Sequence, residues 1–451
     1  MVYNYIGGTM YNNKNIFILG MARSGYEAAK VLSKNNKVTV NDGSLDQNED
    51  HIKELESLGV NVILGSHPDD LFNEECDILI KNPGIKDSHK YVEIAKKLNI
   101  PIINEVELAY DLMPENITII GITGSNGKTT TTTLVYEMLK LEYDNVHLTG
   151  NIGYPLVSFI NKIKEGDVVL VEISVQQLLN LNNFKTNVSV LTNLSEAHLD
   201  HVGTYYNYKN IKKKIFNHHT KSDIAILNYD SNDVLDITKD IDSTKLYFST
   251  KKNKDIYLKD NNIYYKNNFF MNIFDIKLKG IHNYENIMAA ILVSKVFNIS
   301  NNSIFKVLKE FKGVEHRIEF VKELNGRTIY NDSKSTNIVA TKTALSSFNE
   351  PIILLLGGLD RGQSFLDLKE FNNIKHVVCY GENKFKIKED MEKLNIKVDV
   401  VDVLEEAVKK AYEVSNDKDV ILFSPASASW DQYKDFEERG KKFKEYIDSL
   451  V

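Results

Sequence analysis

The sequence has little cysteine, no excess of basic charge and no long apolar run. Only Cys76 and Cys379 occur among 451 residues, which excludes a disulfide framework and is typical of a reducing compartment. The formal net charge is −7, so no overall basic field exists to attract nucleic acid. The longest apolar runs, such as Ile352–Leu356, fall far short of the about 20 residues that span a bilayer.

The opening residues contain no basic segment followed by an apolar run, so no secretory signal is expected. These absences predict a cytoplasmic protein with no membrane span and no nucleic-acid partner. An anionic ligand must then be held by local groups, namely loop amides, helix N-termini, metal ions and a few cations.

The composition is that of a globular protein, with 42% hydrophobic and 26% charged residues. A chain of this length exceeds one ordinary core, and short β-branched runs alternate with segments of helical period. We therefore expect an α/β fold with parallel sheets and three domains, over residues 1–107, 108–312 and 313–451.

Most of the expected strands are short apolar runs. They are Asn15–Leu19, Lys37–Val40, Asp77–Ile80, Ile117–Ile122, Asp167–Ile173, Val188–Leu191, Asp223–Leu227, Thr328–Tyr330, Ile352–Leu356, His376–Tyr380, Lys397–Val401 and Val420–Phe423. The polar stretch Ser243–Asn272 predicts short antiparallel strands at a sheet edge. Helices are expected over Thr129–Leu141 and Asn283–Phe297.

A glycine loop between a strand and a helix provides the strongest functional motif. The strand ends at Ile122, and TGSNGKTT follows at Thr123–Thr130. Such a loop turns backbone amides onto phosphate, Lys128 would reach the β- and γ-phosphates, and the Thr129 hydroxyl would bind Mg²⁺. Ile122 stands where a full P-loop has its first glycine, so the match is to the shorter GxxGKT core.

Two further segments carry residues suited to a metal site. Glu172 ends an apolar strand, where a carboxylate faces the ligand crevice of an α/β sheet and can bind Mg²⁺. His198, Asp200 and His201 follow the strand Val188–Leu191. By residue chemistry alone, a structural and a functional role for these histidines are equally open, and Lys212–Lys214 could equally form a solvated helix face.

Taken together, the motifs resemble those of the Mur ligases, ATP-dependent amide-forming enzymes of peptidoglycan precursor synthesis. In chain order they are GITGSNGKTT, GNIG, VEIS, NLSEAHLDH, YKNIK, GIHNYEN, EHRIE, NDSKSTN, GGLDRG and SPASASWDQYKDFEERG. The resemblance covers essentially the whole chain. It implies a Rossmann-like UDP-binding domain, a central P-loop-type ATPase domain with a mixed sheet, and a C-terminal Rossmann-like domain that binds the amino acid.

The resemblance also implies roles for matching positions. Residues for ATP are Gly124, Ser125, Asn126, Gly127, Lys128, Thr129, Thr130, Asn286, Arg317, Asp332 and Lys334. Residues for two Mg²⁺ ions are Thr129, Glu172, His198 and Lys212, the last as a CO2-derived carbamate. Lys128, His198 and Lys212 are the expected catalytic residues.

The third block decides which amino acid is added. NDSKSTN and SPASASWDQYKDF resemble the branch of the family that adds D-glutamate to UDP-N-acetylmuramoyl-L-alanine through an acyl phosphate. Its amino-acid pocket implies Thr336, Arg361, Ser429 and Phe436. The residues implied for the UDP substrate are Arg23, Ser24, Asp42, Asn82, Gly84 and Asn151.

A Mur ligase of this kind is expected to be a monomer. Three alternative functions remain open at this point. One is the same chemistry with another amino acid or a folate acceptor, which differs in the third-block motifs. Another is a nucleotide-binding protein without catalysis, which should lack Lys128, Glu172, His198 or Lys212. The third is an NAD-dependent oxidoreductase, which Ala22 disfavours because it occupies the middle glycine of GxGxxG.

Overall fold

The computed structural model describes residues 11–197 and 199–450. It has an α/β fold with three sheets, as the sequence predicts. The chain divides into two compact units. Unit 1 comprises the described residues up to Phe270 together with Glu285–Ile304, and unit 2 comprises Met271–Tyr284 together with the described residues from Phe305 onward.

The first sheet of unit 1 has five parallel strands in the order β3-β2-β1-β4-β5. They are β1 Asn15–Leu19, β2 Lys37–Asp42, β3 Asn61–Leu64, β4 Ile78–Lys81 and β5 Ile102–Ile103. The helices of this region are α1 Arg23–Leu32, α2 Glu49–Ser57, α3 Lys90–Leu98 and α4 Glu105–Leu112. Strand order reverses beside β1, and ligands bind at such a point in open α/β sheets.

The second sheet has nine strands in the order β14-β13-β12-β11-β10-β9-β6-β8-β7. They are β6 Thr118–Thr123, β7 Val146–Gly150, β8 Val168–Glu172, β9 Val188–Leu191, β10 Ile224–Asn228, β11 Thr244–Ser249, β12 Ile256–Lys259, β13 Asn262–Tyr265 and β14 Asn268–Asn272. Its helices are α5 Lys128–Leu139, α6 Val175–Leu179, α7 Leu199–Val202, α8 Tyr205–Lys213, α9 Asn232–Ile237 and α10 Ile281–Val296, and α11 Asn301–Glu310 follows.

The edge of this sheet differs in part from the expectation of antiparallel strands. The strands β11 to β14 do form the edge, and β12 pairs antiparallel with β13. However, β11 is parallel to both β10 and β12. The helix α9 provides the crossover that a parallel β10–β11 pair needs, and its short pattern does not stand out in the sequence.

Unit 2 contains a six-stranded sheet in the order β15-β16-β20-β17-β18-β19. Its strands are β15 Glu319–Leu324, β16 Arg327–Asn331, β17 Ile352–Gly357, β18 Ile374–Tyr380, β19 Val398–Val400 and β20 Val420–Phe423, and its helices are α12 Ile338–Leu345, α13 Lys384–Lys393, α14 Leu404–Val414 and α15 Phe436–Asp448. Only β15, joined to β16 by a tight turn, is antiparallel.

The buried cores explain the compactness of each unit. In unit 1 one hydrophobic cluster runs from Ile16 and Ile18 of the first sheet through Val106 of α4 to Val169 and Val171 of the second. In unit 2 the two faces of the sheet bury separate clusters. No helix among the described residues is long and apolar enough to cross a membrane. The predicted domain boundaries stay predictions.

Candidate active site

The glycine loop lies between β6 and α5, as predicted. Gly124 and Gly127 have φ values of +149° and +80°, which L side chains rarely adopt. A Cβ on Gly124 would lie 1.9 Å from the Thr192 Oγ1, and one on Gly127 would lie 2.1 Å from the Asn286 Oδ1. Only glycine fits here, because side chains of the surrounding elements close around the loop.

The loop is also braced by the segment that follows β9. The Ser125 N–H donates to the Asn193 carbonyl at 3.0 Å, and the Asn126 N–H donates to the Asn193 Oδ1 at 2.9 Å. The Thr192 hydroxyl donates to the Asn126 carbonyl at 2.6 Å. These bonds hold the loop backbone in one conformation, which preorganises it for an anion.

Lys128 begins α5 and turns back over the loop. Its Nζ donates to the carbonyl oxygens of Gly124 and Ser125, at 2.9 Å each. Thr129 and Thr130 lie buried in the first turn of the same helix, whose positive dipole end favours a phosphate. Asn286 on α10 accepts a hydrogen bond from the Thr131 hydroxyl at 3.3 Å, so it lies directly beside this turn.

Glu172 lies at the end of β8 and is almost completely buried. Its Oε1 accepts a hydrogen bond from the Asn151 Nδ2 at 2.9 Å. Its Oε2 is buried and has no hydrogen-bond partner among residues 11–197 and 199–450. A buried carboxylate oxygen without a donor is costly in a folded protein, and a bound cation would satisfy it.

Lys212 on α8 is only 1% exposed. Its Nζ donates to the Thr123 Oγ1 at 2.8 Å. Burial lowers the pKa of Lys212 well below its ordinary value, and Lys128 lowers that pKa further, whereas Glu172 raises it. The neutral amine is therefore far more accessible at Lys212 than at a lysine in water.

A cavity of about 520 Å³ in unit 1 is lined by seven of the predicted residues of that unit. The predicted residues on its lining are Arg23, Ser24, Asn82, Gly84, Lys128, Asn151 and Lys212. They lie in the loops, or at the starts of the helices, that follow β1, β4, β6 and β7, and on α8. Parallel strands of both sheets thus end at one space, as expected for carboxyl ends of strands in α/β proteins.

Within this cavity the two loops of the first sheet contact each other. The Asn82 Nδ2 donates to the Ser24 Oγ at 3.0 Å, and the Asn82 Oδ1 accepts from the Gly84 N–H at 3.1 Å. Asp42 does not line the cavity. Its carboxylate accepts from the backbone N–H groups of Met21 and Ser44, at 2.8 Å each, and so fixes the neighbouring loop.

The sequence-based prediction missed five polar residues that line the same cavity, namely Glu105, Ser174, Gln176, Gln177 and Tyr208. The Glu105 carboxylate accepts from the Gln177 Nε2 at 3.3 Å and from the Val157 N–H at 3.2 Å. The Tyr208 hydroxyl lies 2.9 Å from the Ser125 Oγ. An acid at the first position of a helix is common, so nothing local distinguishes Glu105 from a helix-dipole carboxylate.

His198 lies outside the described residues. Among residues 11–197 and 199–450, no group of three or more His, Cys, Asp or Glu side chains is arranged to hold a metal ion. The predicted magnesium site depends on a hydroxyl and a carbamate as well as a carboxylate, and it stays a prediction.

The predicted residues of unit 2 other than Arg317 follow three neighbouring parallel strands, β16, β20 and β17. Asp332 is buried after β16, and its Oδ2 accepts from the hydroxyls of Ser335 and Ser424, at 2.5 Å and 2.7 Å. The Ile318 N–H donates to the other oxygen at 3.2 Å. Burial raises the pKa of Asp332 to about 6, against the lowering effect of these hydrogen bonds.

The remaining unit 2 predictions, apart from Ser429, are less buried than Asp332. Lys334 lies with its Nζ 5.4 Å from the centre of the Phe436 ring, and Arg317 lies in the turn before β15. Thr336 is half-buried, Ser429 is buried, and Arg361 is exposed.

A buried arginine in unit 2 was also missed. Arg439 of α15 is fully buried and donates to the carbonyl oxygens of Ser333 and Ser427, at 2.8 Å and 2.9 Å. It therefore ties the loop after β16 to the loop after β20.

Comparison with known proteins agrees with this arrangement. The family model described as "Mur ligase middle domain" matches residues 122–294, and "Mur ligase, glutamate ligase domain" matches residues 316–427. The chain is 43% identical to the UDP-N-acetylmuramoylalanine–D-glutamate ligase of Bacillus cereus (strain G9842), over 98% of this chain and 99% of that protein. The chain belongs to the Mur ligase family.

Other members share its sequence or its fold. The chain is 44% identical to the ligase of the same name from Bacillus mycoides (strain KBAB4), again over 98% of this chain and 99% of that protein. UDP-N-acetylmuramate-alanine ligase of Thermotoga maritima superposes with a TM-score of 0.58 at 19% identity, covering 97% of this chain and all of that one. MurF of Acinetobacter baumannii gives 0.60 at 16% identity, covering 96% and 93%. At identities this low, the two structures show only that the chain shares their fold.

Proposed function

We propose that this protein joins D-glutamate to UDP-N-acetylmuramoyl-L-alanine at the expense of ATP. The main support for this proposal is the cavity of unit 1. It brings Lys128, which follows the glycine loop, and Lys212 of α8 close to the two loops of the first sheet. The names of the relatives at 43% and 44% identity support the choice of D-glutamate.

The chemistry follows from the need to activate a carboxylate. The terminal carboxylate of the lactyl-alanine group attacks the γ-phosphorus of ATP, ADP leaves, and an acyl phosphate forms. The D-glutamate amine then attacks the acyl carbon, and inorganic phosphate leaves as the amide forms and the amine loses a proton. Positioning and charge neutralisation govern phosphoryl transfer, and the loop amides with Lys128 would supply both.

Residues of unit 1 fit a divalent cation. Glu172 has a buried oxygen that accepts from no donor in the described part of the chain, and Thr129 has its hydroxyl in the first turn of α5. Hard oxygen donors of this kind suit Mg²⁺. When bound, Mg²⁺ supplies charge neutralisation between the two reacting anions. We propose Thr129, Glu172 and a carbamate on Lys212 as protein ligands, with His198 as the predicted fourth.

The surroundings of Lys212 support the carbamate. CO2 reacts only with a neutral amine, and burial beside Lys128 lowers the pKa of Lys212. Carbamylation would exchange one of two neighbouring cations for an anion. That exchange relieves the repulsion between the two lysines.

A substrate panel tests the proposal directly. With ATP, Mg²⁺ and UDP-N-acetylmuramoyl-L-alanine, phosphate release should require D-glutamate and not occur with L-glutamate, L-alanine or meso-diaminopimelate. Release with only one of the latter three would assign a different member of the family. The expected cytoplasmic location and monomeric state stay predictions.

A further inference from the structure

Trp430 is the only tryptophan of the chain, and 65% of it is exposed. An indole is seldom left in water without a reason, since it is the largest apolar side chain. The guanidinium carbon of Arg361 lies 4.7 Å from the centre of the Trp430 ring. That distance is within the range of a cation–π contact.

The two residues lie on loops that are joined by backbone hydrogen bonds. The loop with Arg361 follows β17, and the loop with Trp430 follows the neighbouring parallel strand β20. The Gly357 N–H donates to the Pro425 carbonyl at 3.0 Å, and the Leu359 N–H donates to the Ala428 carbonyl at 2.9 Å. The backbones therefore run side by side up to the point where the two side chains meet.

A side-chain bridge closes the same loop pair. The Gln363 Oε1 accepts from the Arg361 N–H at 2.9 Å, while the Gln363 Nε2 donates to the Ser427 Oγ at 3.0 Å. The backbone of Arg361 is thus held relative to the Trp430 loop. Only the long Arg361 side chain remains to be oriented, and the indole face provides the surface that orients it.

Arg361 is also available to an anion. Among residues 11–197 and 199–450 it forms no ion pair within 4 Å, and its guanidinium is exposed. Its neighbour Asp360 is engaged, because the Asp360 carboxylate accepts from the Gly362 N–H at 2.8 Å and lies 3.7 Å from the Lys386 Nζ. A guanidinium stacked on an indole keeps its N–H edge free for a carboxylate.

We propose that Trp430 is a positioning residue of the amino-acid site, which holds the guanidinium of Arg361 ready for the side-chain carboxylate of the incoming amino acid. This inference rests on the proposed function for the identity of that amino acid. Trp430 acts through Arg361, so its loss should weaken capture of the amino acid and leave the phosphoryl-transfer half of the reaction intact.

Steady-state kinetics of Trp430→Leu and Trp430→Phe tests the role. Leucine keeps apolar bulk without a π face, and phenylalanine keeps a weaker one. An exposed cation–π contact predicts that the KM for D-glutamate rises about three- to fivefold in Trp430→Leu and about twofold or less in Trp430→Phe. The kcat and the KM values for ATP and UDP-N-acetylmuramoyl-L-alanine should not change. Equal KM values for D-glutamate in wild type and Trp430→Leu would overturn the inference.

Fluorescence provides a second readout that needs no turnover. Because Trp430 is the sole tryptophan, emission excited at the indole band reports this site alone. Acrylamide should quench it about twofold less efficiently in the wild type than in Arg361→Ala, since the guanidinium shields one face of the ring. Equal quenching would mean that the stack does not form and would overturn the inference. A wild type that shows the shielding but releases no phosphate with D-glutamate would instead contradict the proposed function.

Discussion

Two predicted ligand-binding cations, Lys212 of unit 1 and Arg361 of unit 2, are held in opposite ways. In unit 1 Lys212 and the predicted metal ligand Glu172 are both about 1% exposed, and hydrogen bonds with Thr123 and Asn151 hold them in place. In unit 2 the cation Arg361 is exposed, and its main support is another exposed residue, Trp430. Buried charges are costly to assemble but act in a low dielectric, whereas exposed charges can meet a small ligand that enters from water.

The difference fits the division of labour that we propose. Phosphoryl transfer between two anions needs groups that are fixed before the reaction begins. A free amino acid must be bound and oriented last. An exposed guanidinium suits that task when its loop is held by hydrogen bonds to a neighbouring loop. Substitutions should therefore stop the reaction when made in the cavity of unit 1 and alter selectivity or affinity when made in the loops of unit 2.

The largest effect is expected for Lys212→Ala in unit 1. Loss of a buried charged group at the site of phosphoryl transfer should lower kcat by about 10³-fold. Lys213→Ala, which changes the next residue along α8, should stay within about twofold of the wild type. Initial rates of phosphate release check both variants.

Rescue of Lys212→Ala distinguishes a carbamate from a cation. Added formate or acetate should restore part of the activity if Lys212 works as a carbamate. Rescue by an alkylammonium ion and not by a carboxylate would show that the protonated amine is the working form. Full activity of Lys212→Ala without any addition would contradict both roles.

The next effect is expected at the close approach of the two loops in unit 2. Gly358 has a φ of +141°, and a Cβ there would lie 2.2 Å from the Ala428 carbonyl oxygen. Backbone strain and the collision should together lower the free energy of unfolding of unit 2 by about 3 kcal/mol in Gly358→Ala. The matched control is Gly362→Ala, where φ is +75° and no atom of the described residues lies within 4 Å of the added Cβ, so only about 1 kcal/mol is expected.

Thermal unfolding, followed by calorimetry and by Trp430 fluorescence, measures both glycine variants. The calorimetric transition should fall further in Gly358→Ala than in Gly362→Ala. Equal transition temperatures would show that the loops do not approach each other as closely as the bond from the Leu359 N–H to the Ala428 carbonyl requires.

The sequence predicted well those features that repeat along the chain. Strands such as Ile352–Gly357 are continuous apolar runs, because parallel strands are buried on both faces, and the TGSNGKTT loop has a fixed spacing. Predicted strands and observed strands therefore agree to within a few residues at β1, β6, β17 and β20.

Features that depend on tertiary contacts could not be predicted in this way. Glu105 and Gln177 are 72 residues apart, and only the fold brings their side chains to 3.3 Å. From the sequence, Arg439 would be expected to lie on the exposed surface of its helix. In the structure it is fully buried and donates to the carbonyl oxygens of Ser333 and Ser427. The cation–π contact of Arg361 with Trp430 likewise joins residues of two different motifs.

A smaller effect is expected for Arg361→Ala. Loss of charged hydrogen bonds to the side-chain carboxylate should raise the KM for D-glutamate by roughly 30-fold, with the KM values for ATP and the UDP substrate unchanged. Lys386→Ala is the matched control, because Lys386 is a neighbouring cation paired with Asp360 at 3.7 Å, and it should change the KM for D-glutamate by less than about twofold. A similar increase of the KM for D-glutamate in both variants would indicate that the overall positive potential of this surface attracts D-glutamate, and not a specific contact with Arg361.

The smallest effect concerns two buried carboxyl groups, one in each unit. Burial raises the pKa of Glu105 to about 7 and that of Asp332 to about 6. Asp332 accepts three hydrogen bonds, two of them from hydroxyls, whereas Glu105 accepts from Gln177 and Val157. Hydrogen-bond donors to the charged form lower a carboxyl pKa, and they oppose the effect of burial in both groups.

The sign of the resulting pH dependence follows from proton binding. The folded-state pKa of Glu105, about 7, lies above its ordinary value of 4.5. Between these two values the folded protein binds more protons than the unfolded chain, so the free energy of unfolding falls as pH rises. Between pH 5.5 and 7.5 this group alone should lower it by on the order of 2 kcal/mol, and Glu105→Gln should remove that fall. Calorimetric transition temperatures at the two pH values measure it, with exposed Glu115→Gln as control. An unchanged pH dependence in Glu105→Gln would mean that the Glu105 carboxyl is solvated in the cavity and that unit 1 is more open than its loop contacts indicate.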